Sequence, residues 1–87
     1  MANPVSWLLV EPGWRVVGTD GGELGSVEEV LGDENADIFH GLAVVGGIGS
    51  RARYVDAGLV DAIADDGTVA VQLDAAAFEL LPEHGPD

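Results

Sequence analysis

The chain has 87 residues, 47% of them hydrophobic, and carries sixteen carboxylates against three arginines and no lysine, for a formal net charge of -13. That length fits a single domain that buries only roughly 60–65% of its unfolded surface, and the apolar content predicts folding despite the charge. So negative a surface makes nucleic acid and anionic lipid poor candidates as direct partners, and the absence of cysteine excludes disulfides, thiol nucleophiles and thiolate metal sites.

Apolar residues recur in short runs separated by glycine and aspartate clusters, a strand-and-turn rhythm without the sustained period of about 3.6 residues that long helices need. Residues 1–13 hold an apolar patch over 5–10, closed by Pro12 and Gly13, that reads as a short strand or as a turn of helix. Residues 14–17 favour β structure and lead into Thr19-Asp20-Gly21-Gly22, whose glycines supply the positive φ of a tight hairpin turn. In the return strand, residues 23–31, the apolar Leu24, Val27 and Val30 recur at every third position, so a bulge is expected at Gly25 and Ser26. An amphipathic helix through 27–31 has the same spacing, but the flanking Gly25 and Gly32 weaken it.

Residues 32–37 form a polar turn, and 38–45, the most apolar run, is expected centrally in the sheet. A glycine loop over 46–50 precedes strands at 51–55 and 59–64, with a turn at Asp56-Ala57-Gly58 between them. The hairpin turn Asp65-Asp66-Gly67 leads into 68–73, where Val69, Val71 and Leu73 alternate with Thr68, Ala70 and Gln72 as in a half-buried strand. Asp74 is placed to cap a helical turn over 75–81, ended by Pro82, with Phe78 and Leu81 available to close one mouth of a barrel. Residues 83–87 read as a frayed tail. The expected architecture is all-β, a small barrel of about six short antiparallel strands with a short C-terminal helical turn, because closing a sheet removes its exposed edges. Residues 1–13 form an N-terminal extension and residues 14–82 the domain.

The run Asp20-Gly21-Gly22-Glu23-Leu24-Gly25-Ser26-Val27, an apolar strand, and then Tyr54-Val55-Asp56-Ala57-Gly58-Leu59-Val60 together resemble the PRC-barrel superfamily. Its pattern is dG-x-x-iG-x-V, followed later by iP-x-x-x-V. The likeness continues through Val69-Ala70-Val71-Gln72-Leu73-Asp74 to Leu80-Leu81-Pro82 and spans roughly residues 14–82. Asp56 departs from the pattern at a position where the family often has proline. The resemblance implies a compact β-barrel that serves as an adaptor and not as a catalyst.

Constellations with catalytic or metal-binding potential are incomplete. Asp33, Asn35 and Asp37 have the D-x-N-x-D spacing that opens a calcium loop, but Ile38 stands where the loop glycine belongs and Val44 where the closing glutamate belongs. Gly46-Gly47-Ile48-Gly49 lacks the lysine and the strand-to-helix context of a phosphate loop. His40 has no cysteine, serine or second histidine near it in sequence, and His84 lies in the tail. Glu28-Glu29 and Asp65-Asp66 are adjacent pairs, which on a strand point to opposite faces and make no acid/base couple. No catalytic, cofactor-binding or metal-binding residue is therefore assigned.

Protein contact is the better-supported chemistry. Arg51 and Arg53 share one face of a strand, with Tyr54 on the other, and form the one local positive patch. They either offset neighbouring carboxylates or line a contact surface. Trp14 is expected in the core, whereas residues 5–10, with Trp7, Leu8 and Leu9, form an exposed apolar strip and a candidate dimer contact if they are not packed on their own barrel. The reading is a non-catalytic, protein-binding adaptor that pairs with itself as a homodimer or docks on a basic protein. No apolar run approaches the roughly 20 residues that span a bilayer, and residues 1–15 lack the early positive charge of a secretory signal, so a cytoplasmic location without membrane insertion is expected. Two alternatives stay open. One is a small metal- or ligand-dependent enzyme using Asp33, Asp37 and His40, and the other is a salt- or stress-adapted structural protein without a specific partner.

Overall fold

The computed structural model describes residues 6–33, 35–46 and 51–83. Strands β1 (Arg15–Val17), β2 (Glu23–Asp33), β3 (Ile38–Val45), β4 (Arg53–Asp56), β5 (Val60–Ala64) and β6 (Thr68–Val71) form one sheet in the order β4-β3-β2-β1-β6-β5. The short helix α1 (Ala75–Glu79) follows. The fold is mostly strand with little helix, and every expected strand is present with ends that agree to within two residues.

The arrangement of those strands departs from expectation in two ways. First, they are not all antiparallel: β1 and β6 run parallel, with Val16 beside Val69. Parallel neighbours need a long crossover, and here the chain from β2 to β5 supplies it. Second, among the described residues no ladder closes the sheet, because β4 and β5 are its two edges. They are consecutive in the chain and joined by a 3₁₀ turn at Ala57–Leu59, where a simple turn was expected; Asp56 caps it by accepting the Gly58 N–H. Apolar alternation reports which face is buried and not which way a neighbour runs, so the parallel pair has no local signature.

Strand β2 is bulged, as its three-residue apolar spacing required. Val16 pairs with Gly25 and Val17 with Glu23, which leaves Leu24 as the extra residue opposite β1. Against β3 the register slips between Val27 and Glu29 and again between Leu31 and Gly32. These slips turn Leu24, Val27 and Val30 toward the same core. The first bulge lies one residue before Gly25 because that glycine has another task. A Cβ there would run into the Val45 carbonyl, so the bare backbone lets β2 and β3 close up.

Val16, Leu42, Val44, Val55 and Val69 are the largest fully buried side chains, drawn from β1, β3, β4 and β6. Phe78 of α1 and Val10 from the N-terminal segment join the same cluster. Asp74 caps α1 as expected, accepting the Ala77 N–H at 2.8 Å. Of the two readings of the N-terminal patch the helical one holds for Trp7–Leu9, a 3₁₀ turn capped by Ser6. The polar turn is shorter than expected, since Gly32 and Asp33 belong to β2. Glu83 is not frayed: its backbone forms an isolated antiparallel β-bridge with that of Arg53, while the Tyr54 N–H donates to the Pro82 carbonyl at 3.1 Å. Residues 1–5, the glycine-loop positions 47–50 and the tail 84–87, with His84, lie outside the described residues. Among the described residues no helix is long and apolar enough to cross a membrane.

Leu42→Ala should cost about 2–5 kcal/mol, the usual range for truncating a fully buried leucine. The exposed Gln72→Ala should stay within about 0.5 kcal/mol of wild type. Urea denaturation monitored by tryptophan fluorescence measures both.

Candidate interaction surface

The 3₁₀ turn Trp7–Leu9 is fixed by its first side chain. Trp7 stacks on Phe39 of β3 with ring centroids 5.2 Å apart and planes 13° apart, and its Nε1–H donates to Asp37 Oδ1 at 3.0 Å. Gly32 makes room for this, since a Cβ there would lie 2.9 Å from the indole. An aromatic stack and a hydrogen bond to a carboxylate therefore pin the turn onto β3. Leu8 and Leu9 remain 48% and 56% exposed. Beside Trp7 and Phe39 opens a groove of about 390 Å³ whose other wall is Ala57, Val60, Ala62 and Ile63, with Asp61 as its one carboxylate. In a chain with this acidity, such a surface is low in charge.

A second hollow, of about 200 Å³, lies where β2, β4 and α1 meet. Arg51 and Arg53 line it together with Glu23 and Glu79, and Leu24 and Phe78 supply its apolar lining. Arg53 Nη1 donates to the Leu81 carbonyl at 2.8 Å, which ties β4 to the segment after α1. Two guanidinium groups and two carboxylates leave this hollow without net charge.

Tyr54 serves the backbone. Its ring lies beside Gly41, where a Cβ would approach it to 2.9 Å, and its hydroxyl donates to the His40 carbonyl at 2.7 Å. Asp56 Oδ1 lies 3.5 Å from the same hydroxyl, and Asp56 Oδ2 accepts the Gly58 N–H at 2.9 Å. Lost hydration, and after it the charge and hydrogen bond of Asp56, push the Tyr54 hydroxyl above its ordinary 10.0.

The six contact candidates thus fall in three places. Trp7, Leu8 and Leu9 belong to the groove and the turn beside it, Arg51 and Arg53 to the mixed-charge hollow, and Tyr54 to the β3–β4 pair. Sequence reasoning missed the groove's remaining walls, Phe39 and β5. The Trp7–Phe39 stack joins distant positions and has no local signature. The scarcity of charge in Val60-Asp61-Ala62-Ile63-Ala64, unusual for an edge strand, is a signal that pointed there. Asp33 Oδ1 accepts the Asn35 N–H, Asp37 accepts from Trp7, and His40 is exposed with its carbonyl taken by Tyr54. Among the described residues no three His, Cys, Asp or Glu side chains gather as a metal site. Trp14 packs half-buried against the core. The chain matches no protein-family model and no curated protein sequence.

Tyr54 is the single tyrosine, so an ultraviolet difference titration reads it directly. Its midpoint should lie above 10.0 in the folded protein and drop in Asp56→Asn without returning fully, because lost hydration remains. A raised pKa favours the neutral phenol in the folded state. That contribution to stability is complete below pH 10.0 and is lost as pH rises through the folded-state value. A wild-type midpoint at or below the ordinary value would contradict this geometry.

Proposed function

We propose that this chain is a non-catalytic, cytoplasmic protein-binding module of the PRC-barrel type whose partner is a second copy of itself. The observation that carries this reading is the apolar surface around Trp7. Leu8 and Leu9 project from the same 3₁₀ turn whose Trp7 helps to wall the groove, so a projection and a receptacle adjoin. A two-fold dimer uses one patch on both copies and needs that kind of self-complementarity.

Charge selects the same surface. Two copies at -13 each repel over most of their exteriors, so contact is cheapest where carboxylates are few. A standard interface takes about 800 Å² from each partner, roughly one seventh of the 5289 Å² this chain exposes. The PRC-barrel likeness is supported by where its motifs fall. The Asp20-Gly21-Gly22 turn joins β1 to β2 with Gly21 at φ 81, Tyr54 and Val55 lie in β4, and Leu80-Leu81-Pro82 directly follows α1.

Light scattering behind a sizing column, at low and high salt, should return twice the 8.9 kDa chain mass, with the dimer persisting in both. Leu8→Glu with Leu9→Glu, at two exposed positions, should shift it to monomer while circular dichroism stays unchanged. A monomer at every concentration and salt would end the self-association reading and point to a different protein as partner.

A further inference from the structure

The two edges of the sheet are treated differently. The outer edge of β4 is covered: Tyr54 N–H donates to the Pro82 carbonyl, the Arg53 and Glu83 backbones form an isolated β-bridge, and the Arg53 guanidinium holds the Leu81 carbonyl. Among the described residues the outer edge of β5 has no such cover, and β5 pairs with β6 alone. An edge strand presents alternate N–H and C=O groups to the outside, and proteins normally guard such a row with lysine, proline or several charges. In β5 the guard is one residue. Asp61 is its single charge, and the register irregularity between Val60 and Ala62 falls at the same place.

We infer that this edge is a strand-pairing site and that its occupant is β5 of a second copy, antiparallel about a two-fold axis at Ala62. The inference rests on the self-association proposed above and specifies its geometry. In that register the two Ala62 residues face each other and the two Asp61 residues, each the extra residue of its own strand's irregularity, fall on opposite sides of the axis, so no carboxylate directly opposes another. Like charges directly opposite would weaken the pair. Ala62 is exposed and small enough for two copies to approach at the axis. Val60, Ala62 and Ile63 also line the apolar groove, so pairing these strands brings the two grooves to the same junction. A basic partner would find a single carboxylate here, which leaves a charge-poor strand of like sequence as the complementary surface.

The chain lacks cysteine, which makes the arrangement directly readable. Cross-strand partners at the axis hold their Cβ atoms about 5 Å apart, within disulfide reach after small adjustment. Ala62→Cys should therefore crosslink to a covalent dimer under mild oxidation, well ahead of Ala36→Cys in the exposed β2–β3 turn. Ala62→Glu sets two carboxylates face to face and should weaken dimerisation about tenfold or more at low salt, with recovery at high salt. If the wild-type chain is dimeric but Ala62→Cys crosslinks no faster than Ala36→Cys and Ala62→Glu leaves the dimer intact, the β5 pairing is wrong while self-association stands. A wild-type chain that is monomeric throughout removes both.

Discussion

The parallel contact of Val16 with Val69 is the joint on which the sheet depends. On one side of β1 lies the β2-β3-β4 meander, on the other the β5-β6 hairpin, and within the sheet the three residues of β1 pair with both. Neither piece is large enough for much independent stability, since a hairpin alone is marginal in water. Nearly every backbone group near the joint is engaged. Arg15 N–H donates to the Gly67 carbonyl at 2.9 Å and Thr19 N–H to Leu73 at 3.0 Å, while the Arg15 guanidinium reaches Thr68 Oγ1. Gly18 lies so close to the Leu73 carbonyl that a Cβ would strike it. Both central valines are fully buried, so hydrogen bonding and apolar burial act on the same few residues.

Element by element, much of this was legible in the sequence. The strands, the Asp74 cap and the need for bulges in β2 follow from local spacing, turn residues and alternation, all short-range properties of the chain. What was not legible is pairwise. The parallel neighbour of β1 lies more than fifty positions away, and nothing in residues 15–17 encodes its direction. Leu24 became the bulged residue because Gly25 was committed to the Val45 carbonyl, a contact between strands that sequence spacing does not report. The candidate surface divides in the same way. Trp7, Leu8 and Leu9 stood out as an apolar run, whereas Phe39 and β5 joined them only through folding. Arg51 and Arg53 read as a positive patch because Glu23 and Glu79, distant in sequence, were not yet beside them.

Glycine and tyrosine show how a thin domain economises on core. At Gly41 a Cβ would meet both the Val55 carbonyl and the Tyr54 ring, so β3 and β4 approach closely and the tyrosine takes the place of the missing side chain. Its hydroxyl then satisfies the His40 carbonyl. Gly32 accommodates Trp7 in the same manner at the other side of β3 in sequence, with the indole N–H satisfied by Asp37. In both cases a large ring covers bare backbone and spends its polar atom on a specific partner. Coverage of this kind fixes register as well as excluding water.

The acidity and the apolar groove are then two parts of one arrangement. Dense carboxylates raise the cost of every unspecific encounter between copies, and more steeply at low ionic strength. Against that background a patch with one carboxylate need not be strongly adhesive to be selective; it needs only to be where repulsion is least. Under the proposed pairing the same logic fits the described residues, among which β5 has an open edge while β4 is covered by residues 81–83. On a neutral protein an uncovered apolar edge invites pairing with any exposed strand. On this one, a foreign strand must first approach through the field of the surrounding carboxylates, whereas in the proposed dimer a second copy on the two-fold would present its own charge-poor side. In that proposal repulsion elsewhere would orient the encounter, and the short-range apolar contact would decide whether it lasts.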